Sequence, residues 1–239
     1  MKRVCVLVAL LCAVLLPFAV LAEEPAEDYV LTATVSAEQS ALLALPIDDA
    51  EVVLSLAQGD ALTVTALGTS YCEAVVGENS GYIATADIAF DVLNGAPTHL
   101  MFIDCSPTNQ YHGRITMRTE PSTKSKAIRR LEKGCIVLVL GTEGTMTHIA
   151  LPDGEGYVVS KYMAEAAPAE SWRIAYVEAG FNAWLRLDSR NGKQWMICRL
   201  EPGTPVQYIS NPNGWATVEV GGYRGRMLAS NLTFTAPGE

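Results

Sequence analysis

Cysteine and histidine are the side chains of this sequence that could supply a nucleophile and its base. The three histidines, His99, His112 and His148, are widely separated, and only Cys105 and His112 form a Cys/His pair within one short segment. Covalent catalysis needs a nucleophile held beside a base, and an isolated Cys/His pair is more often incidental. We therefore predict a protein with no enzymatic activity, no catalytic residues and no cofactor.

Aromatic side chains are the other candidates, because they can stack on a sugar ring or on a peptide. All four tryptophans fall in the last third of the chain: Trp172, Trp184, Trp195 and Trp215. Trp184, Trp215 and Tyr223 stand beside predicted turns, which favours exposed rings that bind a ligand, as Trp and Tyr often do at interfaces. The alternative is that these rings enlarge a small hydrophobic core, and that alternative is favoured for Trp195 and Tyr208.

Three pairs of glycines indicate how these residues are positioned. In each pair the second glycine follows the first by 22 residues, and apolar residues recur at fixed offsets around both: Gly59 and Gly81, Gly134 and Gly156, Gly203 and Gly225. Such self-similarity is the signature of an internal repeat. The chain therefore contains three copies of one small fold.

Each copy reads as a set of short β-strands. Apolar stretches of five or six residues alternate with turn signals, and no convincing helical period is present. Asn213-Gly214 and Asp153-Gly154 are dipeptides that accept positive φ and close tight hairpins. The second glycine of each pair lies between two strand-like runs, where a glycine usually marks a close backbone approach. We predict an all-β fold of small barrels or sandwiches.

The repeat sets the domain bounds at residues 28–95, 99–166 and 172–236. The linkers fall around Asn94–Thr98 and Ala166–Ser171, and the second has the clearer linker composition, Ala-Ala-Pro-Ala-Glu-Ser. A domain of this size buries only a thin core. The recurring apolar positions are therefore predicted to form that core.

The N-terminal segment resembles a secretory signal peptide. Met1-Lys2-Arg3 precedes an apolar run that continues to Ala22, and Glu23-Glu24-Pro25 follows at once. A basic start, an apolar centre and small residues before the cleavage site are typical of such peptides. A single transmembrane anchor is the alternative, since the run is about long enough to span a bilayer. We predict cleavage after residue 22 and a secreted, extracytoplasmic protein with no membrane contact after cleavage.

Charge separates the first copy from the other two. The whole chain has 17 basic and 26 acidic residues, and its net charge is −9. No Lys or Arg occurs from Glu23 to Gly113. Nucleic-acid binding needs clustered positive charge, so nucleic acid is not a predicted partner. The acidic first copy could instead meet a basic extracellular partner or divalent cations.

Four cysteines lie outside the signal segment: Cys72, Cys105, Cys135 and Cys198. None has C-x-x-C spacing, so no metal site is predicted. Because they occupy different positions in their copies, a disulfide repeated in each copy is excluded. In an exported protein they could form up to two disulfides. The favoured alternative is that they are free thiols that pack as small hydrophobic side chains.

The repeat resembles SH3 domains, and specifically bacterial SH3-like (SH3b) domains. The segment Ile115–Ser122, Ile-Thr-Met-Arg-Thr-Glu-Pro-Ser, is similar to the L-N-V-R-x-x-P-S signature that opens those domains. Asn213-Gly214-Trp215 resembles their N-G-W turn and strand. The resemblance covers nearly all of residues 28–236 and is weakest in the first copy.

This resemblance implies a five- or six-stranded barrel with a non-catalytic role. Exported bacterial members often target cell-wall enzymes to peptidoglycan or mediate protein contacts. In SH3 domains that bind proline-rich ligands, a Trp and a Tyr form the groove. Here Trp215 has no Tyr partner in its copy, because that position is Asn231. In the second copy Tyr162 fills the Tyr position, but Met146 occupies the Trp position. Binding of a polyproline helix is therefore not predicted.

Two functions remain open. The first is recognition of cell-wall peptidoglycan or a wall-associated ligand through Trp184, Trp215, Tyr223 and Tyr162, with the third copy as the preferred binding domain. The second is an extracellular interaction or scaffold protein whose acidic first copy meets a basic partner or divalent cations.

Overall fold

The computed structural model describes residues 29–105, 113–178, 183–187 and 195–238. The described chain forms three seven-stranded antiparallel sheets, one after another in sequence, with only short 3-10 turns as helical structure. The predicted all-β fold of three tandem domains is confirmed. The predicted signal peptide, residues 1–22, lies outside the described residues.

The three domains have the same sheet topology. The strands of the first domain are β1 (Thr32–Val35), β2 (Gln39–Leu43), β3 (Val52–Ala57), β4 (Ala61–Ala66), β5 (Tyr71–Val76), β6 (Asn79–Ala84) and β7 (Ile88–Phe90). They are ordered β3-β2-β6-β5-β4-β1-β7. The last strand follows a 3-10 turn at Thr85–Asp87 and pairs with the first strand.

The second and third domains repeat this order. The second contains β8 (Leu100–Ile103), β9 (Arg114–Arg118), β10 (Ala127–Glu132), β11 (Ile136–Glu143), β12 (Met146–Leu151), β13 (Gly154–Val159) and β14 (Met163–Glu165). The third contains β15 (Arg173–Val177), β16 (Ala183–Arg186), β17 (Met196–Leu200), β18 (Pro205–Ser210), β19 (Trp215–Val220), β20 (Tyr223–Leu228) and β21 (Leu232–Thr233). Their 3-10 turns before the last strand are Ser160–Tyr162 and Ala229–Asn231.

The first glycine of each pair closes the turn between the third and fourth strands of its domain. Gly59, Gly134 and Gly203 have φ angles of 93°, 82° and 83°, in the left-handed region that favours glycine. The second glycine lies in the sixth strand, where the second strand crosses it. A Cβ at Gly81 would lie 2.5 Å from the carbonyl oxygen of Leu43, and one at Gly225 would lie 2.9 Å from that of Arg186.

We predict that Gly156→Val destabilises the second domain. A Cβ at Gly156 would lie 2.7 Å from the Arg118 carbonyl oxygen and 2.9 Å from Met117 Cγ. Overpacking of this kind costs about 1–3 kcal/mol, and a fall in thermal stability would show it. Gly141→Val is the matched control, because Gly141 also lies in a strand of this domain but has no atom within 4 Å of its Cβ position. Equal melting temperatures for the two variants would contradict the close approach.

The first two domains share one hydrophobic core. The cluster around Leu31, Leu62 and Phe90 of the first domain continues into buried residues of the second: Leu100, Ile136, Leu138, Ala150 and Ala166. Two smaller clusters fill the remaining parts of the second domain and the third domain. Since a single small domain buries little apolar surface, this shared core supplies burial that neither domain would have alone.

The third domain joins the second through a short β-bridge. Cys135 and Tyr223 pair across the junction, and the flanking backbone bonds run from Arg224 N to Gly134 O at 2.9 Å and from Ile136 N to Gly222 O at 2.8 Å. The hairpin between β19 and β20, with its Gly221-Gly222 turn, thus reaches out of its own domain. No helix within the described ranges is long and apolar enough to cross a membrane.

Candidate functional site

Trp215 lies at the start of β19, directly after a tight turn. The turn spans Pro212–Gly214, and Asn213 adopts a φ of 59°, as the Asn-Gly dipeptide predicted. The Trp215 ring is half-buried. The chain reversal therefore leaves one part of the indole against the protein and the rest open to solvent.

Two arginines flank Trp215 from neighbouring strands. Arg186, the last residue of β16, pairs directly with Arg226 on β20. The Arg186 guanidinium carbon lies 5.8 Å from the centre of the Trp215 ring, within cation–π range. Arg226 Nη2 donates a hydrogen bond of 3.2 Å to the Trp215 carbonyl oxygen. We call these three residues the Trp–Arg cluster.

The Trp–Arg cluster lacks acidic partners in the described part of the chain. Arg186 is only 8% exposed, yet its Nη1 has no hydrogen-bond partner there, and the buried Nε of Arg226 has none either. Neither arginine forms an ion pair with a described carboxylate. Arg224, on the same strand as Arg226, is different, because it is bound to the buried carboxylate of Glu219 at 2.8 Å. The cluster thus presents an aromatic ring beside two cations whose hydrogen-bonding capacity is incompletely used.

Trp184 lies two residues before Arg186 on β16. It is half-buried and pairs with Arg199 of β17 across the sheet. Two of the four predicted ligand-binding residues, Trp184 and Trp215, thus lie in the same sheet and each has an arginine neighbour.

Tyr162 belongs to a different domain. It ends the 3-10 turn before β14 and is half-buried against the second hydrophobic cluster. Lys161 Nζ lies 4.9 Å from its ring centre. The structure therefore does not bring Tyr162 into the Trp–Arg cluster.

Tyr223 lies at the junction of the second and third domains. Its ring packs against the hydrophobic clusters of both domains, and its hydroxyl is hydrogen-bonded to the Cys135 thiol. Burial is the largest cause of the raised pKa of the Tyr223 phenol, and the neighbouring Cys135 side chain raises this pKa further. This placement favours a structural role for Tyr223 over the predicted ligand contact.

The remaining predicted aromatic residues are divided between core and surface contacts. Trp195 is buried at 7% exposure, and Tyr208 packs on the third hydrophobic cluster. Tyr208 also meets Phe234 edge-on at 5.2 Å between ring centres. Trp172 packs edge-on against Tyr71 of the first domain at 5.8 Å, so it belongs to the contact between domains.

The four cysteines in the described part of the chain are free thiols rather than disulfides. Cys72, Cys105 and Cys135 are buried and Cys198 is half-buried. Burial raises the pKa of Cys105 to about 11 and that of Cys135 to about 12, so both are protonated at neutral pH and poor nucleophiles. His112, the predicted neighbour of Cys105, lies outside the described residues. In the described ranges, no cluster of His, Cys, Asp or Glu could hold a metal ion.

No sequence pattern singles out Arg186 and Arg226. Arg186 stands at the place in its domain that Arg118 of the signature segment occupies in the second domain. Both lie on the second strand of their sheet, and both place their carbonyl oxygen against the second glycine of the repeat. Aligning the copies on the glycines does not reveal this correspondence, because the offset between Arg118 and Gly156 leads in the third copy to Leu187 and not to Arg186.

No family model and no curated protein matches the chain. Solved structures similar to it include NlpC1 from Trichomonas vaginalis, at 10% identity and a TM-score of 0.25, with 85% of this chain and 89% of that chain covered. NlpC2 from the same organism matches at 10% identity and a TM-score of 0.25, covering 84% and 92% of the two chains. An NlpC/P60 family protein from Bacillus cereus matches at 9% identity and a TM-score of 0.26, covering 87% and 95%.

Proposed function

We propose that this chain is a non-catalytic, exported binding protein that recognises cell-wall peptidoglycan or a wall-associated ligand through SH3-like domains of the bacterial type. The observation that carries the proposal is the half-buried Trp215 beside Arg186 and Arg226, which have no acidic partner among the described residues. An aromatic face next to cationic donors suits a ligand that combines sugar rings or peptide with carboxylates.

The bacterial SH3-like assignment is supported by the position of the signature segment. Ile115–Arg118 lies in β9, and the rest of the signature forms the loop that follows. Arg118 Nη1 donates a 2.6 Å hydrogen bond to the Ser125 carbonyl oxygen, which ties that loop back to its own strand. Arg118 of the signature thus stabilises the loop that follows the second strand of its domain.

The third domain is the preferred binding domain because the residue that corresponds to Trp215 is buried in each of the other two domains. The residue at the start of the fifth strand is Tyr71 in the first domain and Met146 in the second, with exposures of 7% and 2%. The Tyr71 hydroxyl is bound to Asp48, and its ring meets Trp172. Trp215 alone of these three residues keeps part of its side chain accessible.

A second candidate function is an extracellular scaffold that binds another protein through the acidic first domain. Its edge strand β3 begins with Val52 and Val53, which are 52% and 40% exposed, directly after the exposed acids Asp48, Asp49 and Glu51. An exposed edge strand can pair with a strand of a partner. Binding that weakens with salt or depends on calcium would favour this function, whereas retention by purified peptidoglycan at high salt favours the first.

We predict that Trp215→Ala releases the protein from purified sacculi in a pull-down assay. Loss of an aromatic residue that dominates an interface costs about 2 kcal/mol or more, which corresponds to a roughly thirtyfold weaker affinity. Trp215→Phe keeps an apolar ring and should retain most of the binding. Undiminished retention of the folded Trp215→Ala protein, with folding checked by circular dichroism, would exclude this residue as the wall contact.

A further inference from the structure

We infer that Arg186 and Arg226 form a binding site for an oxyanion, a carboxylate or phosphate group carried by the ligand, with the Trp215 ring beside it. The source of that group in the cell wall rests on the proposed function, but the anion site itself does not.

One cross-strand pair of residues occurs at the same place in all three domains but differs in charge. It joins the second strand of each sheet to the sixth and consists of Leu43 and Tyr82, Arg118 and Tyr157, and Arg186 and Arg226. Only the third domain places two cations directly opposite each other. Like charges at such positions destabilise a sheet. A bound anion would turn this repulsion into attraction.

The second domain shows how an arginine at this position can be satisfied internally. Arg118 donates to the carbonyl oxygen of Ser125. Arg186 occupies the corresponding place in its sheet and is buried, with its guanidinium carbon 5.8 Å from the centre of the Trp215 ring. Its Nη1 and the Nε of Arg226 are both buried and without a described partner. Leaving charged donors buried and unpaired is costly, and an oxyanion bound beside the two guanidinium groups would compensate their charge.

The chemistry of the two side chains selects the ligand class. A guanidinium presents planar, forked donors that match the oxygens of a carboxylate or a phosphate, and it stays charged at any pH a cell reaches. Two such groups on adjacent strands repel a metal cation. The neighbouring indole offers an apolar wall for the part of the ligand that carries the anionic group.

Tryptophan fluorescence during thermal unfolding tests the site, because all four tryptophans lie in or at the border of the third domain. The full chain is unfolded in sodium chloride, sodium acetate and sodium phosphate at equal ionic strength. At an anion concentration ten times the Kd, the linked stabilisation should raise the Tm by about 4 °C over chloride. Arg226→Tyr, which installs the residue found in the other two domains, should abolish this rise and should increase the Tm in chloride.

Arg173→Gln is the matched control. Arg173 is an exposed arginine of the same domain whose guanidinium lies on the Phe234 ring, so its loss should leave the anion response intact. A wild-type Tm that is equal in all three salts would overturn the site, and so would an anion response that persists in Arg226→Tyr. Loss of the response in both arginine variants would show general charge screening and would also overturn it.

Binding to sacculi then identifies the source of the anion and separates this inference from the proposed function. Reduced retention of Arg226→Tyr on peptidoglycan stripped of phosphate polymers assigns the site to peptide carboxylates. Reduced retention only on phosphate-bearing walls assigns it to phosphate. If the wild-type protein shows the anion response but no wall preparation retains it, the anion site stands and the wall-binding proposal fails.

Discussion

Gly134→Ala should detach the third domain from the second and should cost about 1–3 kcal/mol more than Gly59→Ala. The two glycines occupy the same position in the repeat, and both have a positive φ, 82° at Gly134 and 93° at Gly59. Placing alanine in that conformation carries a similar backbone cost in both domains, about 1–2 kcal/mol. The difference between the variants therefore measures what lies around each glycine.

The surroundings of the two glycines differ completely. A Cβ at Gly59 would have no atom within 4 Å, whereas a Cβ at Gly134 would overlap the carbonyl oxygen of Arg224 in the third domain. The Gly134 carbonyl oxygen also accepts the 2.9 Å bond from Arg224 N that forms one side of the bridge between the domains. Backbone on both sides of this contact leaves little room for adjustment, so we expect the bridge to break.

Two measurements distinguish separation of the domains from general destabilisation. Small-angle scattering should show an expanded particle for Gly134→Ala and an unchanged one for Gly59→Ala. Limited proteolysis should cut the linker around residues 166–171 faster in Gly134→Ala. Equal unfolding free energies and equal dimensions for the two variants would show that Gly134 is needed only for the turn between β10 and β11 and not for the contact with the third domain.

The comparison of Gly134 with Gly59 also marks the limit of what the sequence predicts. The spacing of the glycine pairs predicts three copies of one all-β fold, because tight turns and close crossings are requirements of each copy by itself. The contact of Gly134 with Arg224 depends on how two finished domains pack. Sequence periodicity holds no information on that packing, since the two residues belong to different copies.

The candidate site, too, could be predicted from the sequence only in part. Asn213-Gly214 predicts a turn that leaves Trp215 partly exposed, and the structure has that turn. Tyr223 also stands beside a turn, but its hairpin inserts between domains, so its ring is covered by residues that no local pattern could indicate. The pairing of Arg186 with Arg226 requires the register between the second and sixth strands, which are separated by most of the domain.

The contact between all three domains centres on the carboxylate of Glu219. Glu219 is 5% exposed, accepts a 2.6 Å hydrogen bond from the backbone N–H of Thr69 in the first domain, and pairs with Arg224 at 2.8 Å. The Arg224 guanidinium in turn lies 4.7 Å from the ring of Phe102 in the second domain and donates to the Ala167 carbonyl oxygen. The Glu219 carboxylate thus binds the Arg224 guanidinium, which in turn contacts residues of the first and second domains.

Glu219→Ala should destabilise the protein by about 3–5 kcal/mol, because removing one member of a buried ion pair leaves the other charge uncompensated. The Thr69 N–H would lose its acceptor as well. Asp104→Ala is the matched control: Asp104 is bound to Lys133 at a more exposed site, with side-chain exposures of 51% and 30%, and such pairs contribute about 0.2–1 kcal/mol. Urea unfolding gives both free energies. A cost for Glu219→Ala as small as that of Asp104→Ala would mean that the shared apolar core, and not this ion pair, holds the three domains together.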